Sequence, residues 1–91
     1  MKTLAELKAK YMQDEAFQEE YNRLEETYRI AEKVIQARVA AGLTQAELAK
    51  KIGTRQANIS RLESGTYNPS IELLMKVAQA TGKRLEVNFV G

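Results

Sequence analysis

Three glycines, Gly42, Gly53 and Gly65, divide the middle of the chain into two short segments of helical pattern. Each segment is too short to be a stable helix alone, so each must be held by packing. The first, Gln45–Ile52, follows Thr44, and Glu47 stands three residues later, which is the spacing of a capping box. Leu48 and Ile52 of this segment, and Ile59 and Leu62 of the next, recur at helical spacing and face a core. Ala49 is small where a second helix must approach closely. Gly53 supplies the positive φ that a tight turn between two steeply crossing helices requires. The second helix is expected over Gln56–Glu63, ending at Ser64-Gly65.

The flanks extend the same pattern. The first 41 residues hold no Pro and no Gly. Thr3 with Glu6 forms a potential capping box for a short helix bearing Leu4, Leu7 and Tyr11, and Asp14 is a plausible N-cap for a longer one. Phe17, Tyr21, Leu24, Tyr28, Ala31 and Ile35 make one apolar stripe of that longer helix. Ile30, Val34, Ala37 and Ala41 make a second, so its C-terminal part is expected to pack on more than one side. Gly42 ends it, with Leu43 packing back. After the loop Thr66-Tyr67-Asn68-Pro69, Ser70 caps another helix with Leu73, Leu74, Val77 and Ala78 inward, and Gly82 stops it. In Lys83–Val90 the period changes to two: Leu85, Val87 and Phe89 alternate with polar residues, as in a half-buried strand. A lone strand is not stable in water, so this one is expected to pair with its copy in a two-fold dimer. The alternative is an extended tail packed on its own domain.

Composition narrows the function. With no Cys and no His, the commonest general base and the commonest zinc ligands are missing. No phosphate loop or paired-carboxylate cleft identifies a catalytic group, so no enzyme, cofactor or metal is expected. Residues 1–10 do not read as a signal peptide and no run of apolar residues spans a bilayer, so the chain is expected to be soluble and cytoplasmic. Charge is uneven. Residues 1–33 carry six Lys and Arg against eight Asp and Glu, a net −2, and residues 34–91 carry eight against four, a net +4. The C-terminal part leans toward a polyanion and the N-terminal part toward a basic partner.

The stretch Leu43–Gly65, within the run "GLTQAELAKKIG…Q..IS.LE.G" that opens at Gly42, closely resembles the phage-repressor-like (Cro and XRE type) helix-turn-helix family, and "NPSIELLMKVAQATGK" resembles that family's next helix. The resemblance covers roughly residues 28–82. It implies an all-α, lambda-repressor-like domain whose Gln56–Glu63 helix enters the major groove of double-stranded DNA. Residues 1–27 would then be a helical extension, 28–82 the DNA-binding domain and 83–91 a dimerisation strand. Carried over position by position, the resemblance puts Arg55, Gln56, Ala57 and Arg61 on base edges, and Asn58 on a base or a phosphate. It puts Thr44, Gln45, Ser64 and Thr66 on phosphates. The side chains suit these roles: Gln pairs with adenine, Arg with guanine, and Ala fits a thymine methyl. Arg55 departs from the family, standing where a small capping Ser or Thr is frequent, so this helix start is expected to be shifted or less well capped. Lys50 and Lys51 are read as solvated charges. Glu63 is read as structural, tying its helix to the following turn.

The layout of the whole chain also resembles HigA-type antitoxins, in "F..EY..LEE.Y..A...I.AR.AAGLTQ.ELA" and in the terminal "GK.LEV.FV". That resemblance implies repression of an operon from an inverted-repeat operator. It also implies a small basic toxin partner, an mRNA-cleaving RelE/HigB-like ribonuclease. Phe17, Tyr21, Leu24 and Tyr28 on the acidic extension would bind it, and Leu85, Val87 and Phe89 would dimerise. Two other readings compete: a free-standing dimeric transcriptional repressor of the same family, and an interaction module that has lost DNA binding.

Overall fold

The computed structural model describes residues 15–91, apart from the side chains of Glu15 and Phe17. The expected short helix over Leu4, Leu7 and Tyr11, with its Thr3–Glu6 box, and the cap at Asp14 lie outside the described residues. Four helices follow in order: α1 Glu15–Ala40, α2 Gln45–Ile52, α3 Gln56–Glu63 and α4 Ile71–Ala80.

Local chemistry sets the boundaries. Thr44 accepts a hydrogen bond from the Glu47 backbone N–H at 3.1 Å, and the Thr44 N–H donates to the Glu47 carboxylate at 3.0 Å. This reciprocal box satisfies two donors that a helix start would otherwise leave unpaired. At the start of α4, Ser70 caps with a single bond, accepting from the Leu73 N–H at 3.1 Å. Arg55, the N-cap of α3, makes no side-chain capping bond. Three helices end alike. After α1, the Leu43 N–H reaches the Arg38 carbonyl and the Gly42 N–H reaches that of Val39; Thr54 with Gly53, and Lys83 with Gly82, repeat the pattern after α2 and α4. These paired bonds close the last helical turn with a left-handed residue.

The core is built from one or two residues of each helix: Val34, Leu48, Ala49, Ile59, Leu62 and Val77, with Ile30, Leu43, Ile52, Tyr67, Leu73, Leu74 and Ala80 packed around them. Leu48, Ile59 and Leu62 are fully enclosed. Burial of each stabilises the fold by about 1.5–3 kcal/mol. α3 packs against α2 and α1, and α2 packs against α4. Ala31 and Val34 are the buried positions of the two α1 stripes, whereas Leu24 and Tyr28 are exposed.

Residues 83–91 differ from expectation. No strand forms among the described residues. Leu85 is half-buried, but Val87 is mostly exposed and Phe89 is fully so. The physical reason is that a strand needs a ladder, and the described residues supply no other extended segment to pair with. Beside the tail, α1 and α4 flank an apolar groove of about 390 Å³ lined by Ile30, Val34, Ala37, Leu74, Val77 and Leu85 among others.

Candidate nucleic-acid interface

α3 divides cleanly into two faces. Ile59 and Leu62 are buried, while Gln56, Ala57, Asn58, Ser60 and Arg61 are exposed. Gln56, Ser60 and Ser64 follow each other at four-residue spacing, one above the next, with Ala57 and Arg61 alongside. Five of these side chains can donate or accept hydrogen bonds or carry positive charge, and none is acidic. A helix held by its apolar edge and presenting this surface has the shape and chemistry to enter a major groove about 12 Å wide.

The expected site residues are not all equally placed. Gln56, Ala57 and Arg61 share the outward face. Asn58 stands to one side, and its amide donates to the Thr54 hydroxyl at 2.7 Å. Arg55 is exposed in an extended conformation at the start of the helix. Ser64 and Thr66 flank Gly65, with their hydroxyl oxygens 2.9 Å apart; Ser64 Oγ also donates to the Arg61 carbonyl at 2.6 Å. The Thr44 hydroxyl is engaged in its cap. The Gln45 side chain turns inward, donating to Glu63 Oε1 at 3.1 Å.

Glu63 corrects one expectation. It ties α3 to preceding elements, not to the following turn. Its carboxylate receives Arg38 Nε at 2.8 Å and Arg38 Nη2 at 3.0 Å, in addition to Gln45. Arg38 Nη1 donates to the Leu43 carbonyl at 2.9 Å. The Glu63 side chain is only 4 % exposed and that of Arg38 16 %. The hydrogen bond to Glu63 holds the Arg38 guanidinium above its ordinary pKa. One fork of charge therefore locks α1, the α1–α2 turn, α2 and the end of α3 into one frame. Sequence reasoning missed Arg38, because its partner is 25 residues away and no local spacing links them. It also missed Ser60, which helical spacing from Gln56 could have found.

Among the described residues, no group of three or more His, Cys, Asp or Glu side chains is arranged to hold a metal ion. No described helix is long and apolar enough to cross a membrane.

Comparison with known proteins agrees with this geometry. A family model described as helix-turn-helix matches residues 34–88. The chain belongs to the helix-turn-helix family. As a member it is a DNA-binding, XRE-type transcriptional regulator. An uncharacterised helix-turn-helix-type transcriptional regulator of Archaeoglobus fulgidus is 43 % identical over 58 residues, covering 64 % of this chain and 83 % of that protein. A second such regulator, from Haemophilus influenzae, is 34 % identical over 77 residues, covering 82 % of this chain and 78 % of that one. Antitoxin HigA1 of Mycobacterium tuberculosis is 31 % identical over 74 residues, covering 81 % of this chain and 50 % of that protein. No solved structure matches.

Proposed function

We propose that this helix-turn-helix regulator is a sequence-specific repressor that reads DNA with α3 and binds as a dimer to an inverted repeat. The single observation that carries the reading is the division of α3, with Ile59 and Leu62 buried and Gln56, Ala57, Ser60 and Arg61 exposed on one face. Gln56 and Arg61 make the bidentate base contacts, with Ala57 against a methyl group and Arg55 and Asn58 at the margin. Ser64, Thr66 and the start of α2 at Thr44 and Gln45 bind phosphates and set the register. Selection of bound sites from a pool of random-sequence duplexes tests this. Recovery of an inverted repeat supports it, and recovery of no common sequence contradicts it.

A second, narrower reading has its own support. The likeness to an antitoxin extends over 81 % of this chain. The α1 segment before the core carries exposed Leu24 and Tyr28, half-buried Tyr21 and four exposed glutamates, Glu19, Glu20, Glu25 and Glu26. In this reading the segment binds a small basic mRNA-cleaving toxin, and the regulator represses the operon encoding both. Phe17 belongs to the same expected stripe, but its side chain lies outside the described residues. Co-expression with the product of the adjacent reading frame tests it. Rescue of growth that is lost when those four glutamates become lysines supports an antitoxin. A neighbour that is harmless when expressed alone leaves the free-standing repressor.

A further inference from the structure

The extension and the DNA-facing turn meet at one point. Thr27 is a buried polar residue, 7 % exposed. Its Oγ1 lies 2.6 Å from the Gly65 carbonyl oxygen and 2.9 Å from that of Leu24. A hydroxyl has one proton to give, and the shorter approach is the one across the fold, 38 residues along the chain. The next residue, Tyr28, lays its ring on the same glycine: a Cβ at Gly65 would stand 2.2 Å from Tyr28 Cδ1. Gly65 has φ +81 and is buried. The turn is therefore gripped twice from α1, at its carbonyl and at its Cα. On either side of that grip stand the exposed Ser64 and Thr66, whose hydroxyls touch at 2.9 Å.

We propose that Thr27 and Tyr28 are positioning residues for DNA-backbone binding, holding the Gly65 turn so that the Ser64 and Thr66 hydroxyls, turning from the Arg61 carbonyl and from each other, donate to the same phosphate. The inference rests on the reading of Ser64 and Thr66 as phosphate contacts. Its physical content is preorganisation. A free turn loses conformational freedom when it binds, whereas a turn clamped by a buried hydrogen bond and a ring has lost it on folding. Neither clamp residue touches DNA in this arrangement. The middle of α1 thus contributes to DNA affinity from behind the interface.

The test is a double-mutant cycle on the full chain, with a labelled mixed-sequence duplex as the probe and the unfolding midpoint measured for every variant. Thr27→Val removes the hydroxyl and keeps the shape. It is expected to weaken binding about fivefold, the size of one lost hydrogen bond. Thr27→Ser is expected to restore it. In a Ser64→Ala/Thr66→Ala background the same Thr27→Val change is expected to have no further effect. Tyr28→Leu, compared with Tyr28→Phe, repeats the cycle should Thr27→Val unfold. An equal loss from Thr27→Val in both backgrounds, or no loss in a folded variant, overturns the proposal. Wild-type affinity in Ser64→Ala/Thr66→Ala overturns the phosphate reading beneath it, and the proposal with it.

Discussion

Two glycines with nearly the same backbone angle have different jobs. Gly53, φ 77, turns α2 toward α3, and nothing lies near the place a Cβ would take. Gly65, φ 81, has the Tyr28 ring there. Gly53→Ala is therefore expected to cost about 1–2 kcal/mol, the left-handed penalty alone. Gly65→Ala is expected to cost more, because the ring must also move and the Thr27 bond with it. Urea unfolding of the two variants measures the difference, and equal losses would contradict the packing of Tyr28. The Gly53 turn is readable in the sequence, since a glycine between two periodic segments signals it. The Tyr28–Gly65 contact is not, because it joins residues far apart and Tyr28 fits a partner-facing stripe equally well.

At the scale of elements, charge and capping decide which helices are fixed. Glu63 is almost fully enclosed with Arg38, Gln45 and the Leu43 carbonyl drawn together. Arg38→Ala would leave a buried carboxylate without its cation, so it is expected to destabilise the chain by about 3 kcal/mol. A loss below 1 kcal/mol in denaturant unfolding would mean that water already serves Glu63. The box at the start of α2 has a pH signature. The Thr44 backbone N–H holds the Glu47 carboxyl below its ordinary pKa. A lowered folded-state pKa contributes stability that is present above the unfolded carboxylate pKa and is lost as pH falls through the folded one. Glu47→Gln keeps an acceptor for Thr44 but cannot titrate, so it is expected to flatten stability against pH in that acid window. An unchanged profile would show that other carboxylates carry it. The spans of α2 and α4 and the end of α1 follow from signals a few residues long: Thr44 and Glu47, Ser70, and the glycines after α1, α2 and α4. The Arg38–Glu63 fork that orients those helices has no such signal, and Arg38 was not among the residues that sequence reasoning singled out.

For the whole molecule, the tail shows what one chain cannot satisfy. Leu85, Val87 and Phe89 alternate as a strand should, yet Phe89 is 100 % exposed and no ladder forms among the described residues. Alternation records what a segment could pair with and does not supply the partner. In the dimeric reading a second copy supplies it, and removal of residues 84–91 is expected to convert a dimer into a monomer by sedimentation. A monomeric full chain at micromolar concentration would contradict that reading. If the dimer stands, its two α3 helices lie about 34 Å apart, one turn of DNA. The α3 surface itself was legible because its apolar edge and its polar face alternate within one eight-residue helix; only Ser60 escaped notice. The central claim is that this surface reads bases. The most direct measurement is the ratio of affinities for the selected operator and for mixed-sequence DNA, in the wild type and in Gln56→Ala, at one salt concentration. Loss of about 1–3 kcal/mol on the operator with mixed-sequence binding unchanged is the expected result. Equal loss on both would contradict it and reduce Gln56 to a backbone contact.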